Sequence, residues 1–397
     1  MNRGVPLPLR HTRLGLASLT LAYFMQGLAS IVVVGLAYPM SQDLGVAPES
    51  IARLVMVFSL AYAFTGTLLQ PLLAPFSRTQ RMLFGLALWT AGSLLAALAG
   101  SYELQVLARI MLGAAGSIIG PTASTLASLV VEPERRQRAV GSAYLGMTIA
   151  LVAGLPATAQ LGAIFGWREV FAGMSAIGAA ALLLVFWLFP MGDARGDDRT
   201  RPRAKLDHLV PFALWSSVTT FLLLGGQMAT YALVAVLLKD RFDAGADAVA
   251  ATFLLYGIGG VIGNLIGSRS LGAAGVERTM KIAILMAALL HVPMFLAPSH
   301  WVLAAVYFFV GAASLMFQTR MQSRLIETSG PRADLVMAIN QSSMHLGMAC
   351  GAFSGSLIVP TFGVTVLPMV SACVVGAGVL CFFISSRIKS TLAHPAP

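Results

Sequence analysis

Long apolar stretches recur along the whole chain, and short polar segments separate them. Their lengths lie near the roughly 20 residues that a helix needs to cross the hydrocarbon core of a bilayer. The pattern therefore predicts an all-α membrane protein with twelve transmembrane helices. The predicted spans are 14–38, 51–73, 82–100, 104–130, 139–163, 169–190, 210–238, 248–268, 280–297, 301–319, 335–359 and 364–385.

The composition indicates that lipid is the solvent for most of this chain. Apolar residues make up 57% of the 397 residues and charged residues only 11%, whereas about 25% of the residues in a soluble domain are charged. The formal charge is +10, but the basic residues are spread over short loops, which argues against a nucleic-acid-binding face. The three cysteines lie inside apolar stretches, so no disulfide framework is predicted.

The basic residues determine the predicted orientation. If the amino terminus is cytoplasmic, twenty-one of the 26 lysines and arginines lie in cytoplasmic loops and tails, and only four lie in outer loops. Short cytoplasmic loops of membrane proteins carry an excess of basic residues. We therefore expect a multi-pass protein of the bacterial inner membrane with both termini cytoplasmic.

The longest polar segment divides the predicted spans into two sets of six. Duplicated six-helix halves are typical of secondary transporters, whose substrates bind near the bilayer midplane. The predicted domains are an amino-terminal six-helix bundle at 1–190, a cytoplasmic linker at 191–209 and a carboxy-terminal six-helix bundle at 210–397.

Two short patterns repeat between the halves. Leu-Gly-Met at 145–147 in the fifth span returns at 346–348 in the eleventh, and Phe-Gly at 165–166 returns at 362–363. These repeats occur at corresponding places in the two sets of six spans, which favours an internal duplication.

Few ionisable residues are predicted at membrane depth. Arg109 is the only charged residue deep within a predicted span. An unpaired arginine there is costly, so Arg109 is a candidate coupling residue; the alternative is an arginine that reaches the interface or caps backbone carbonyls. No acid lies in mid-span, and Glu103 and Glu169 lie at outer ends. His291 and His345 are therefore the candidate proton carriers, unless they are hydrogen-bonded structural histidines.

Polar side chains at mid-span depth outline a possible substrate cavity. They offer amides and phenols but no acid, which favours a neutral, zwitterionic or anionic substrate over a simple organic cation. Hydrogen bonding between helices is the alternative for each of them. The candidates are Tyr23, Gln26, Gln227, Tyr231, Tyr256, Asn264, Asn340 and Gln341.

Glycines recur at intervals of four residues in two spans. This spacing forms a smooth stripe along a helix, which lets the backbone of a partner helix approach closely. Such a surface serves either helices that rock against each other during transport or static packing. The stripes are Gly259, Gly263 and Gly267 in the eighth span, and Gly347, Gly351 and Gly355 in the eleventh.

Several motifs occur in the order and on the helices expected for one family. The chain resembles the major facilitator superfamily, and within it the drug–proton antiporter branch that includes sugar and nucleoside efflux permeases. The resemblance covers nearly the whole chain. It rests on Pro39 with residues 41–46, on Gly154 and Pro156 with residues 165–168, and on residues 340–343 with Gly347.

The resemblance implies alternating access and proton-coupled efflux of a small polar or amphipathic molecule of the drug, sugar, nucleoside or siderophore class. The run from Arg109 to Gly113 matches the family's fourth-helix motif, in which the arginine is linked to proton transfer. His345 occupies a position that the branch often fills with asparagine. Leu155 replaces the glycine that precedes Pro156 in the family's antiporter motif, so the chain departs from the family pattern at this position.

Two acids of the family pattern are missing. Ala74 and Gly272 stand where the family's loops after the second and eighth helices usually carry an acid, which is thought to latch the outward-open state. The latch is therefore expected to be weak or built differently. The substrate and the direction of transport stay open. The alternatives are an uncoupled facilitator, an uptake carrier for an organic anion and, from another class, a non-transporting membrane receptor.

The sequence disfavours other membrane functions. None of the four lysines follows a glycine, so no P-loop is present, and no histidine pair has H-E-x-x-H spacing. We expect no enzymatic activity, cofactor, metal site or nucleic-acid partner. The expected partners are a small-molecule substrate, protons and the lipid bilayer, with the protein monomeric.

The orientation gives a first testable prediction. A reporter fused after Pro397 is expected to be active only when it is a cytoplasmic reporter, because the basic residues concentrate on that side. Measuring matched cytoplasmic and periplasmic reporter fusions checks this. Activity of the periplasmic fusion would reject the orientation.

Overall fold

The computed structural model describes residues 12–73, 75–191, 209–269 and 272–393. Within these ranges every regular element is a helix and there is no strand, so the expectation of an all-α fold is confirmed. Ala74 and most of the predicted linker, 192–208, lie outside the described residues, as do the two chain ends.

Sixteen α-helices make up the described part of the chain. They are α1 (Thr12–Gly35), α2 (Ala37–Leu44), α3 (Pro48–Leu73), α4 (Arg78–Leu98), α5 (Tyr102–Leu129), α6 (Arg136–Ile149), α7 (Leu155–Ile164), α8 (Trp167–Leu188), α9 (Val210–Tyr231), α10 (Val234–Phe242), α11 (Ala246–Arg269), α12 (Gly272–Leu289), α13 (His291–Leu296), α14 (His300–Ser329), α15 (Ala333–Phe362) and α16 (Leu367–Ala393).

These helices account for the predicted membrane spans. By length and composition, eleven helical segments of the described residues are able to cross a bilayer, and α2 with α3 forms a twelfth segment that is bent by 111°. Consecutive helices share a span in three places, where α6 joins α7, α9 joins α10, and α12 joins α13. The predicted number of twelve helices agrees with this upper count.

Breaks within spans keep their backbone groups hydrogen-bonded, as a hydrocarbon environment requires. Between α1 and α2, the Leu36 amide donates to the Val33 carbonyl at 3.2 Å. Between α9 and α10, the Ala232 amide donates to Met228 at 3.0 Å and the Leu233 amide to Thr230 at 3.1 Å. The helix therefore changes direction at these points without leaving these amides unpaired.

The helices group into two compact units. Unit 1 consists of Met1–Val46 and Val57–Arg201, and unit 2 consists of Ala47–Met56 and Pro202–Pro397. The first turns of α3 thus belong with the second unit, where Arg53 Nε donates to Ser356 Oγ at 3.1 Å.

Close backbone packing holds unit 1 together. On α6, a Cβ added to Gly146 would overlap the carbonyl oxygen of Thr20 on α1. On α5, a Cβ added to Gly113 would overlap the carbonyl oxygen of Phe58 on α3. Only glycine allows helix backbones to approach this closely, so these positions set the spacing of the helices.

The two glycine stripes of unit 2 lie against neighbouring backbones. Along α11, Gly259 and Gly263 lie against the carbonyls of Phe308 and Ala312 on α14. Along α15, Gly347 and Gly351 lie in the same way against Phe221 and Gly225 on α9. Both stripes are helix-packing surfaces in this structure, and their predicted part in gating stays a prediction.

The repeated sequence patterns have matching environments in the two units. Gly146 and Gly347 each lie against the backbone of the first long helix of their own unit. Gly166 and Gly363 each precede a helix, and their own φ angles are positive, at 107° and 78°. A residue with a side chain would be strained in this conformation. The repeats therefore coincide with positions at which packing or backbone geometry requires glycine.

One placement from the sequence is wrong. The predicted span 301–319 ends before Arg320 and Arg324 and so counts both among the cytoplasmic loop residues, but α14 continues to Ser329 and buries both side chains, which are 8% and 0% exposed. A helix of 30 residues is about 45 Å long. Its last turns therefore extend past an apolar core of about 30 Å while remaining packed among other helices.

The glycine stripe on α15 gives a second prediction. Gly351→Ala is expected to lower the melting temperature and yield of the detergent-purified protein, because the new Cβ would overlap the Gly225 carbonyl. Gly376→Ala on α16 is the matched control, since nothing lies within 4 Å of its added Cβ. That control is expected to be neutral or to gain up to about 1 kcal/mol from higher helix propensity. Equal melting temperatures for the two variants would contradict the packing role.

Candidate functional site

The predicted polar residues of unit 1 meet at the middle of α1. Tyr23 donates its hydroxyl to the Gly120 carbonyl at 2.9 Å and also contacts the Ser124 hydroxyl. Gln26 Nε2 donates to the hydroxyl of Tyr62 on α3 at 3.2 Å, while Gln26 Oε1 is buried without a partner among the described residues. The structure thus brings Tyr23 and Gln26 into one polar cluster between α1, α3 and α5.

Glycine makes room for this cluster. A Cβ on Gly120 would lie 2.7 Å from Gln26 Oε1, and one on Gly116 would lie 3.2 Å from the Tyr62 ring. Both contacts are too close for an unshifted side chain. Gly116 and Gly120 of α5 therefore determine the positions of the Tyr62 ring and the Gln26 amide.

Arg109 lies about two turns after the start of α5, closer to that end of the helix than the sequence suggested. Its side chain is 0% exposed, Nη1 donates to the Ala29 carbonyl at 2.6 Å, and the guanidinium lies 5.4 Å from the centre of the Phe171 ring. Nε and Nη2 are buried without hydrogen-bond partners in the described part of the chain. The arginine thus caps one carbonyl and keeps two donor atoms unpaired.

The Gly-Leu-Pro motif of the fifth span forms a widened helical turn. Residues Ala150–Gly154 are π-helical, and the Leu155 amide bonds to the Ala150 carbonyl five residues back. Pro156 follows at the start of α7, where its missing N–H removes a regular helical hydrogen bond. Single π turns of this kind are frequent at functional sites.

A small apolar cavity lies beside this turn. Its volume is about 290 Å³, and Phe24, Leu28, Gly154, Phe165, Glu169 and Met174 are among its lining residues. The Phe24 and Leu28 side chains approach Gly154 so closely that an added Cβ would lie 3.1 and 3.2 Å from them. The glycine of the motif therefore provides space where α1 meets the fifth span.

Two of the sequence motifs meet at one end of unit 1. Asp43, in the last turn of α2, pairs with Arg168 and accepts a hydrogen bond from Trp167 Nε1 at 3.2 Å. Arg168 Nη2 also donates to the Ala99 carbonyl at 3.2 Å, and its guanidinium stacks 4.2 Å from the centre of the Trp167 ring. Because the pair is more than a third exposed, its role is to position the helix ends rather than to add much stability.

In unit 2, the predicted residues of α9 and α11 lie together. Gln227 Oε1 accepts a hydrogen bond from Ser314 at 2.7 Å, and Ser314 also bonds to Tyr256. The rings of Tyr231 and Tyr256 lie 4.9 Å apart, and Tyr307 packs against both of them. Tyr307 and Ser314, both on α14, were missed in the sequence because neither belongs to a recognised motif.

The remaining polar candidates lie apart from that cluster. Asn340 Nδ2 donates to Thr220 Oγ1 at 2.8 Å, so it joins α15 to α9, as the interhelical alternative predicted. Asn264 is exposed and accepts from Thr319 at 2.6 Å. Gln341 is exposed as well. The structure therefore does not bring these three amides to the tyrosines, and their predicted contact with substrate stays a prediction.

The two histidine candidates differ in their surroundings. His345 is 6% exposed on α15, between Asn340 and the stripe that contains Gly347 and Gly351. His291 is 1% exposed at the start of α13, with Nδ1 2.7 Å from the Ala287 carbonyl. That carbonyl ties His291 to its own helical region, whereas His345 lies on a helix packed against α9.

A second arginine with 0% exposure among the described residues was missed in the sequence. Arg324 is 0% exposed, lies 3.4 Å from Glu277 at the start of α12, and donates to Ser216 at 3.3 Å and Ser385 at 2.9 Å. Phe212 and Phe382 lie 5.0 and 5.4 Å from its guanidinium. Arg109 is therefore not the only buried charge within a helix. Glu277 follows Gly272 by five residues, so unit 2 does carry an acid near the place where the family's loop acid was judged absent.

The arrangement is suited to binding and release rather than to bond chemistry. The described residues contain no group of three or more His, Cys, Asp or Glu side chains placed to hold a metal ion. What they contain are hydrogen-bonding clusters at membrane depth in each unit and a buried arginine in each unit. Polar and ionisable groups within membrane-spanning helices are costly, which makes these clusters candidate sites for a polar solute.

Comparisons with known proteins agree with this geometry. The model of the Major Facilitator Superfamily matches residues 19–231 and 216–396. The inner membrane transport protein YdhP of Escherichia coli strain K12 is 27% identical over 378 residues, covering 94% of this chain and 96% of that protein. A probable sugar efflux transporter of Helicobacter pylori strain J99 is 22% identical, covering 94% of this chain and 95% of that protein.

A solved structure shares the fold. The crystal structure of a bacterial homologue of the human lysosomal transporter Spinster, in an inward-facing and unoccupied conformation, aligns with a TM-score of 0.70. The two are 16% identical, and the alignment covers 96% of this chain and 97% of that chain. Since the family model spans nearly the whole helical chain and the fold is that of a known transporter, the chain belongs to the Major Facilitator Superfamily.

Proposed function

We propose that this transporter is a proton-coupled exporter of a small polar organic molecule, working by alternating access in the bacterial inner membrane with both termini cytoplasmic. Similarity to an inner membrane transport protein and to a probable sugar efflux transporter supports export and location. Arg109 in unit 1 and His345 in unit 2 support the proposal of proton coupling.

The buried guanidinium of Arg109 is the observation that carries the proposal. It holds a positive charge within a helix, with one hydrogen bond to a carbonyl and two donor atoms unpaired among the described residues. An uncompensated buried charge is strongly destabilising. If Arg109 only supported the fold, an apolar side chain in its place would make the protein more stable. We therefore infer that Arg109 gains a further partner during the transport cycle.

The proton carrier is proposed to be His345. The acidic residues that the structure describes lie in loops or toward helix ends, whereas His345 is buried on a long helix. Imidazole is the side chain whose ordinary titration range includes neutral pH. Protonation of His345 would place a charge beside the α9–α15 packing surface, where it would favour one arrangement of these helices over another.

An uncoupled carrier for an organic anion is the second candidate. The unpaired Nε and Nη2 atoms of Arg109 favour it, because a guanidinium binds carboxylates and phosphates well. The two candidates differ in whether the substrate moves against its own gradient.

Transport against a pH gradient is the third prediction. In proteoliposomes, an antiporter moves protons from the acidic to the alkaline compartment and substrate in the opposite direction, so substrate is expected to accumulate on the acidic side. His345→Gln is expected to abolish accumulation while still equilibrating substrate. His291→Gln is the matched control and should retain it, because His291 is tied to the Ala287 carbonyl.

Three other results would contradict this coupling. Equilibration without accumulation by the wild-type protein would identify a facilitator, and accumulation on the alkaline side would identify proton symport. Coupling that persists in His345→Gln but is lost in Glu103→Gln or Glu169→Gln would place the carrier at an outer carboxylate.

The role of Arg109 is the fourth prediction. Arg109→Gln is expected to lower the transport rate by about tenfold or more, since a hydrogen bond to a charged group contributes about 1.5–3 kcal/mol. Its expression and melting temperature should stay at or above those of the wild type, because an unpaired buried charge is removed. Arg138→Ala, at an exposed site, is the control and should transport normally. Wild-type transport by Arg109→Gln would assign the arginine a structural role.

A further inference from the structure

Three tyrosines of unit 2 pack against one another at membrane depth. The ring centres of Tyr231 and Tyr256 lie 4.9 Å apart, and the Tyr307 ring lies 6.3 Å from the first and 6.2 Å from the second. Tyr231 is 5% exposed and Tyr307 is 2% exposed. The hydroxyl oxygens of these two residues have no hydrogen-bond partner within the described ranges.

A neighbouring glutamine adds a third unpaired group. Gln227, one turn before Tyr231, is 6% exposed and uses its Oε1 atom to accept from Ser314. Ser314 is fully buried and also bonds to Tyr256. This chain fixes the amide, so its Nε2 atom remains buried without a partner among the residues described.

Buried polar atoms without partners are uncommon in folded proteins, and each calls for an explanation. Three such atoms belong to Gln227, Tyr231 and Tyr307. These residues are connected through the ring contacts of the tyrosines and through the hydrogen bonds of Ser314 to Gln227 and Tyr256. A purely structural cluster would be more stable with phenylalanine at Tyr231 and Tyr307, because the hydroxyls would not have to be desolvated. The cluster therefore has the features of a binding site whose donors are satisfied by a ligand.

The chemistry of the cluster restricts the ligand. The ion pairs and cation–ring contacts found among the described residues do not include Gln227 or the three tyrosines, so the cluster offers an anion no contacting basic side chain. An aromatic cage for a cation needs free ring faces around the charge, but these rings lie against one another. The groups without partners are two hydroxyls and one amide nitrogen, and these can hydrogen-bond the hydroxyl and ether oxygens of a ligand.

We propose that Gln227, Tyr231 and Tyr307 bind an uncharged, polyhydroxylated molecule of the carbohydrate class as the transported substrate. This inference rests on the proposed function as an exporter and specifies what is exported. Ser314 and Tyr256 are positioning residues, because they fix the amide and the rings without having unpaired donors of their own.

Ligand binding to the purified full-length protein tests the class. The melting temperature and calorimetric binding would be measured with a panel of neutral mono- and disaccharides, with gluconate as an anionic analogue and with tetraethylammonium as a cation. We expect at least one neutral sugar to raise the melting temperature in a concentration-dependent way, with no shift from the other two probes. Binding of gluconate or tetraethylammonium alone, or of no sugar in the panel, would overturn the proposal.

Matched hydroxyl deletions test the site. Tyr307→Phe and Tyr231→Phe are each expected to weaken sugar binding by about tenfold or more, while leaving the melting temperature of the free protein unchanged or raised. Tyr23→Phe is the stability contrast: it should lower the melting temperature, because its hydroxyl is already bonded to the Gly120 carbonyl. If Tyr307→Phe and Tyr231→Phe lower the melting temperature but bind sugar as the wild type does, the cluster is structural.

The experiments distinguish a failure of the carbohydrate proposal from a failure of the proton-coupling proposal. Sugar binding that depends on Tyr307, together with transport that ignores the pH gradient, would retain the ligand class and reject the coupling. Accumulation of another solute on the acidic side, together with no sugar binding, would retain the coupling and reject the ligand class.

Discussion

A polar group without a partner at hydrocarbon depth costs several kcal/mol, and this penalty is the constraint on which the rest of the structure depends. It requires every described regular element to be a helix, since a helix pairs its own backbone groups. It also explains why the breaks after Gly35 and Tyr231 keep their amides bonded to carbonyls of the preceding turn. Against this background, the buried side-chain atoms that have no partner among the described residues are informative.

Some of these atoms belong to the polar clusters described above, while others, such as those of Ser59, Trp89 and Ser93, lie elsewhere in the described residues. In unit 1 these atoms include Nε and Nη2 of Arg109 and Oε1 of Gln26, and in unit 2 they include the hydroxyls of Tyr231 and Tyr307. By contrast, Asn340 is paired with Thr220 and Tyr23 with Gly120. Satisfied polar groups join helices to each other, and we propose that Arg109, Tyr231 and Tyr307 gain a partner during transport.

Close helix packing at glycines is the second main feature of the structure. Helices in lipid gain little from hydrophobic burial against each other, so close backbone contact has to supply the attraction. Gly146 and Gly347 serve the same purpose in the two units, each against its unit's first long helix. The units differ at their buried arginines, since Arg324 has Glu277 beside it, whereas Arg109 has a carbonyl and an aromatic ring.

The sequence by itself determined the all-α fold, the approximate spans and the superfamily, because apolar length and glycine spacing are local properties that lipid imposes directly. It also identified Tyr23, Gln26, Gln227, Tyr231 and Tyr256 as polar residues at membrane depth. Only the tertiary structure decided which of these have partners, because a hydrogen bond between helices depends on residues distant in sequence, such as Gln227 and Ser314. The burial of Arg324 was missed for the same reason. A charged residue after an apolar stretch is typical of a loop, whereas Arg324 is enclosed by Glu277, Ser216 and Ser385 on three other helices.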